Sequence, residues 1–277
     1  MYLHTRACIF MLGSVGACVG RVPSVEGTTS ESTTTTTGGD GDGDGDGDGD
    51  GDGDGDLVED CSKAVHYVYF VEADADYDEA QREAIEATAL AFQAYWYETL
   101  GATFYLADPI VDVIHAAHDG QWYVDTPDNI HDDPRWYRLG NIKTEVYGQL
   151  GIVDFDPDHR VINYPTLRFD GRVGGNFGGA WMDGDDLTCM LGEHGGVTFP
   201  YDEQGPAQCL GHVAHEFGHI LGLDHEGPET DCMQLGFYVN IGGEETCSFS
   251  PDNVAKILAD PDNAGWLDAT PGQRCAQ

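Results

Sequence analysis

The hydrophobic pattern changes period several times along the chain, and each change marks an element. Val65-His66-Tyr67-Val68-Tyr69-Phe70-Val71 is a run of β-branched and aromatic residues that predicts a strand. Ile85, Phe92, Trp96 and Leu100 then recur at steps of seven, four and four, which predicts an amphipathic helix from about Asp78 to Leu100 with Gly101 at its C-terminal cap. Thr103 to Ala107 and Ile110 to His115 predict two more strands. From 116 to 208 the pattern is loop-rich, with short strands expected at Arg160 to Asn163 and Gly179 to Met182. A helix is expected from about Leu210 to Leu221, and another from Pro251 to Ala259, with Ser250 as its N-cap and proline at its first position. These elements predict an α+β domain in which a mixed, twisted sheet packs on a long helix, a second helix near 215 and a C-terminal helix.

The pattern vanishes before residue 57. Residues 28 to 56 are Thr, Ser, Gly and Asp with almost no apolar side chain, too little to offset the entropy of ordering, so they read as an acidic linker. The Gly-Asp repeat lacks the hydrophobic position that lets calcium-binding repeats stack. Further upstream, Arg6, the apolar run from Cys8 to Ala17 and the small residues after it predict an export signal. Ten apolar residues are too few to span a bilayer as a helix. Val15-Gly16-Ala17-Cys18 resembles a bacterial lipobox, which would place lipid on Cys18, with an ordinary signal cleaved nearby and a secreted protein as the alternative. The expected organisation is a signal at 1–17, a disordered linker at 18–56 and a catalytic domain at 57–277. Six cysteines remain beyond the signal, Cys61, Cys189, Cys209, Cys232, Cys247 and Cys275, an even number suited to three disulfides and an extracytoplasmic location. Cys232–Cys247 is the expected first pair, because it would close a short loop.

Net charge is −38, of which the Gly-Asp repeat supplies nine, so the rest carries −29. Such a surface repels nucleic acid and anionic lipid, leaving an N-terminal lipid as the expected membrane contact. Asp183, Asp185 and Asp186, and less strongly Asp154, Asp156 and Asp158, are candidate calcium ligands, with a solvated acidic loop as the plainer reading.

The chemistry gathers at His215-Glu216-Phe217-Gly218-His219-Ile220-Leu221-Gly222-Leu223-Asp224-His225. On a helix His215 and His219 lie about 40° apart, so both imidazoles leave one face. Val213, Phe217, Ile220 and Leu221 fall between about 140° and 240°, on the face that packs inward. Glu216, at about 100°, flanks the histidines without joining them. Gly222 is placed to end the helix in the left-handed conformation and return His225 to the same point. Three imidazoles leave one position of a tetrahedral zinc open, the arrangement of a catalytic site. His212, at about 60°, reads as a helix-surface residue beside the ligand face. Five specified residues at these spacings arise by accident in about one such chain in ten thousand.

This segment resembles the metzincin metallopeptidases, whose pattern H-E-x-x-H-x-x-G-x-x-H is filled by His215, Glu216, His219, Gly222 and His225. The resemblance makes Met233, in Asp231-Cys232-Met233-Gln234, the candidate for the family's Met-turn, an apolar floor under the metal. It departs from astacin-like and serralysin-like members, which carry tyrosine where Leu235 stands. What the resemblance implies is a zincin-like fold and zinc-dependent hydrolysis of a protein or peptide substrate, with Glu216 as general base. It also implies an edge strand that pairs with the extended substrate, for which Gly179, Ala180, Trp181 and Met182 are the candidates. A zinc-binding lipoprotein without catalysis and a hydrolase of cell-wall amides are the competing readings.

Overall fold

The computed structural model describes residues 57–58, 62–154, 156–168, 174–176, 178–191, 208–234, 240–241 and 246–275. The expectations for the signal, for Cys18, for the linker and for Cys61 fall outside these residues. The described residues belong to one compact unit.

Strand β1 (Leu57–Val58) is followed by β2 (Ala64–Val71), whose eight residues are all buried. A strand with no polar face must be covered on both sides, and β2 is the centre of the sheet. Helix α1 (Glu79–Leu100) follows, capped by the Asp78 side chain at one end and by Gly101, at φ 74°, at the other. It leads to β3 (Leu106–His115), then α2 (Gly120–Asp125) and α3 (Tyr137–Leu150). Next come β4 (His159–Pro165), β5 (Gly174–Asn176), β6 (Gly179–Trp181) and α4 (Gly184–Met190). Helix α5 (Gln208–Ile220), the short strands β7 (Asn240–Ile241) and β8 (Thr246–Cys247), α6 (Pro251–Ala259) and β9 (Arg274–Cys275) complete the described chain.

The main sheet has the order β1-β9-β3-β2-β4-β6-β5. Its pairs are parallel except for β5, which runs antiparallel to β6 at one end. One face carries the larger core, where Val65, Tyr67 and Tyr69 meet Phe92 and Trp96 of α1 and Val213 and Phe217 of α5. The other face carries Val68 and Phe70 under Tyr123, Ile142, Val146 and Tyr147 of α2 and α3. The α+β class and the mixed sheet match the sequence expectation.

Two expectations need correction. The strands expected at Thr103 to Ala107 and Ile110 to His115 are one strand, β3, and Thr103 makes only an isolated bridge to Ala269. Pro109 lacks a donor for the ladder, and the pairing with β2 shifts register there, from Val65↔Leu106 to Tyr67↔Val111. The irregularity absorbs the proline without ending the strand. The stretch from 116 to 208, expected to be loop-rich, holds α2, α3 and α4. Helix α3 escapes the apolar pattern because its inward face includes Arg138 and Lys143, buried through ion pairs with Asp183 (2.8 Å) and Asp154 (2.6 Å).

Candidate metal centre

Helix α5 is held by its apolar side. Phe217 packs its ring against Phe104 (4.9 Å between centroids), Phe92 (5.3 Å) and Trp96 (5.5 Å), while Val213, Ala214 and Ile220 are buried beside it. The opposite side projects His215 and His219. The helix then stops on Gly222, at φ 82°, with Gly222 N–H donating to the His219 carbonyl (3.1 Å) and Leu223 N–H to the Gly218 carbonyl (3.0 Å). That pair of bonds is a Schellman cap, and it turns the chain so that His225 comes back over the helix end.

His215, His219 and His225 converge, with one ring nitrogen from each within 4.8 Å of the others. Nε2 of His225 lies 3.2 Å from Nε2 of His215 and 3.0 Å from that of His219. The far nitrogens fix the tautomers. Nδ1 of His215 contacts the Cys232 carbonyl at 2.7 Å and Nδ1 of His219 the Leu223 carbonyl at 2.8 Å. A carbonyl can only accept, so both Nδ1 atoms carry the proton and both neutral rings turn an Nε2 lone pair inward. Lone pairs facing one another at this range repel unless a cation lies between them. Ligands of a tetrahedral zinc at about 2.0–2.1 Å stand about 3.3–3.4 Å apart, so the spacing suits zinc with a small adjustment. Burial lowers the pKa of His215 to about 4, with the two other histidines adding to the effect. His219 is lowered in the same direction, chiefly by burial and then by His225. Both are therefore neutral ligands at pH 7, the state a metal requires.

Glu216 is only 5 % exposed and lies beside the triad without joining it. Burial raises its pKa to about 7, opposed by the neighbouring His212 and reinforced by Asp186. Strand β5 crosses directly over it: a Cβ at Gly175 would collide with the Glu216 carbonyl and stand 2.9 Å from its Oε2. Glycine is needed there for close approach.

Met233 is fully buried under α5, and a Cβ on Gly218 would overlap its sulfur. The turn that carries it is organised by Asp231, which is 1 % exposed. Its Oδ1 accepts from Met233 N (2.8 Å), and its Oδ2 from Ser250 N (2.8 Å) and Asn253 Nδ2 (2.9 Å). The same turn supplies the Cys232 carbonyl that holds His215, so the floor and the ligand orientation share one device. Leu235 lies outside the described residues.

His212 is not the surface residue expected from the sequence: its side chain is 12 % exposed and packs against α4, with Nδ1 2.7 Å from Asp186 Oδ1. Burial works against its charge, but Asp186 outweighs that and holds the pKa above the usual histidine value, with Glu216 and Asp183 contributing.

The candidate substrate strand has to be moved. Gly179, Ala180 and Trp181 form β6, which pairs with β4 on one side and β5 on the other, and Met182 N donates to the Asn163 carbonyl (2.9 Å). Both edges of β6 are taken, and β5 is the terminal strand among the described residues. The calcium reading also fails to gather support. Asp183 caps α4 and pairs with Arg138, Asp186 binds the Asp183 backbone (2.9 Å) and His212, and Asp185 faces Arg168 at 3.4 Å. Among the described residues, only the three histidines form a converging set of three or more candidate metal ligands. Sequence reasoning missed Asp231, Gly175 and the Asp186–His212 contact. Of these only Asp231 carried a local signal, standing two residues before the Met-turn methionine.

No protein-family model and no curated protein matches the chain. Among solved structures it is similar to wild-type OgpA from Akkermansia muciniphila, at 16 % identity and a TM-score of 0.46, over 79 % of this chain and 65 % of that one. It is also similar to catalytically inactive OgpA in complex with an O-glycopeptide substrate, glycodrosocin, at 14 % identity and a TM-score of 0.48, over 78 % of this chain and 64 % of that one. A third likeness is to archaemetzincin from Methanopyrus kandleri, at 13 % identity and a TM-score of 0.36, over 73 % of this chain and 97 % of that one. The chain thus spans just under two thirds of OgpA, and the functional reading rests on its own side chains.

Proposed function

We propose that the chain is a zinc-dependent endopeptidase of the metzincin type, holding zinc on His215, His219 and His225. The observation that carries this reading is the meeting of three inward-facing imidazoles beside a buried carboxylate that is not a ligand. Zinc bound there supplies a Lewis acid for the scissile carbonyl and lowers the pKa of an attacking water. Glu216 would serve as the general base, taking a proton from the attacking water and delivering it to the departing amine. Its raised pKa suits a group that must both take and give a proton near neutrality. Strand β5, with its outer edge unpaired among the described residues and Gly175 lying on Glu216, aligns an extended peptide by β-addition. Because that recognition uses backbone groups, a protein or peptide is the substrate class it favours. Zinc analysis of the purified chain, with parallel assays on unfolded protein and on peptidoglycan, tests the reading. Stoichiometric zinc with cleavage of the protein supports it. Zinc without any cleavage favours a binding lipoprotein, and cleavage of peptidoglycan alone favours a cell-wall amide hydrolase.

The location we propose rests on the N-terminal sequence. Export and lipidation at Cys18 place the domain outside the cytoplasm on an acidic tether, and Cys18→Ser should release it into the soluble fraction. The disulfide reading has support from Cys189, Cys232 and Cys275, each of which is disulfide-bonded. Cys232 N donates to the Ser248 carbonyl (3.2 Å), which brings its backbone beside that of Cys247 and favours that pair. The side chains of Cys209 and Cys247 lie outside what is described, so peptide mapping without reductant decides the connectivity.

A further inference from the structure

A second group of histidines lies on the far face of the sheet. Adjacent strands β3, β2 and β4 each place one side chain there: Asp112, His66 and His159. The registers Val68↔Asp112, His66↔Val161 and Ala64↔His159 put all three on the face that carries Val68 and Phe70, each displaced by two residues from its neighbour. Such diagonal neighbours are within reach of imidazole and carboxylate side chains. Asp112 Oδ2 lies 3.2 Å from His66 Nδ1, and His66 Nε2 lies 3.0 Å from His159 Nδ1.

The carboxylate fixes the chemistry. The Asp112 carboxylate oxygen accepts, so His66 carries its proton on Nδ1 and turns an Nε2 lone pair toward His159. This is the carboxylate–histidine pairing that orients and strengthens imidazole ligands. His66 is buried at 2 % exposure, whereas His159 and Asp112 are partly exposed, so the pair is rigid on one side and reachable from solvent on the other. Nε2 of His159 has no hydrogen-bond partner among the described residues. Its ring can therefore carry its proton on Nε2 and present a second lone pair on Nδ1, with no net proton release. The spacing of 3.0 Å equals that between His219 and His225 in the triad.

We propose that His66 and His159 form a second, weaker binding site for a divalent transition metal of the zinc class, with Asp112 as the orienting carboxylate. Water fills the remaining positions, and the carboxylates of Asp156 and Asp158 lie close enough to act on the charge of His159. The site is independent of the peptidase reading, because it shares no residue with the triad.

Zinc is the probe, measured by equilibrium dialysis of the full chain followed by metal analysis. Wild type should hold two zinc ions per chain, the second about 10-fold or more weaker. His159→Ala should hold one and keep its peptide cleavage, and His219→Ala should hold one and lose cleavage. Asp112→Asn, which keeps the shape and removes the charge, should weaken the second ion by about 10–100-fold. A wild type that binds one zinc, or a second zinc that survives His159→Ala, overturns the proposal. In either case the histidines are a hydrogen-bonded pair, and any excess metal sits on the acidic surface.

Discussion

The two histidine clusters look alike pair by pair and differ in how they are held. In both, a ring has its far nitrogen fixed by an oxygen acceptor and its near nitrogen about 3 Å from another imidazole. In the triad the acceptors are backbone carbonyls, of Cys232 and Leu223, which orient the ring and carry no full charge. In the pair the acceptor is the carboxylate of Asp112. The triad therefore offers three lone pairs with uncharged backbone acceptors behind His215 and His219, whereas the pair offers two, one of them backed by a carboxylate. Number of ligands and charge of their supports separate the proposed catalytic centre from the proposed weaker site.

His219→Ala breaks the contrast most completely. With two ligands left and no carboxylate behind either ring, the triad should hold zinc more weakly than the pair does, and zinc retention at that site and peptide cleavage should both fall to background in metal analysis and a peptide assay. Asp231→Ala should follow. It strips acceptors from Met233 N, Ser250 N and Asn253, and buried donors left unpaired cost about 1–3 kcal/mol each. Denaturant unfolding should show a loss on the order of 3 kcal/mol, and chelator competition a roughly 10-fold weaker zinc as the Cys232 carbonyl shifts from His215. Gly175→Ala should act on substrate alignment and on Glu216, and leave the metal in place. The added carbon has no room against Glu216, so β5 must lift, and kcat/KM should drop about 10-fold with zinc content unchanged.

A smaller effect tests the neutrality of the supports. In chelated, metal-free protein, His215 has a folded pKa near 4 against about 6.5 unfolded, so its contribution is complete above 6.5 and is lost as pH falls toward 4. Glu216 has the opposite sign. Its pKa of about 7 exceeds the unfolded value near 4.5, so the folded state gains stability on acidification across that window. The two partly cancel in wild type. Glu216→Gln removes the second and should leave a steeper acid loss between pH 6.5 and 4, read from unfolding midpoints.

The same contrast explains what was legible in the sequence. The triad lies within eleven consecutive residues, so helix geometry and one glycine were enough to bring it together on paper. His66 meets partners 46 and 93 positions away, and only strand register creates that meeting. Helix α1 and helix α6 were readable because their caps, Asp78, Gly101 and Ser250, are local. Strand β5 was not, because two of its three residues are glycine, and whether β5 or β6 forms the edge depends on pairing. Asp231 reads as an ordinary turn residue until Ser250 and Asn253 arrive from later in the chain.

The central claim is that Glu216 performs chemistry beside a metal it does not bind. The direct measurement is zinc content and peptide cleavage of Glu216→Ala against wild type, on the same preparations. Zinc should remain near one ion per chain at the triad while cleavage falls by about 10²–10⁴-fold, the contribution of a positioned general base. Unchanged cleavage in the variant, or wild type that holds zinc and cleaves no peptide, would contradict the account.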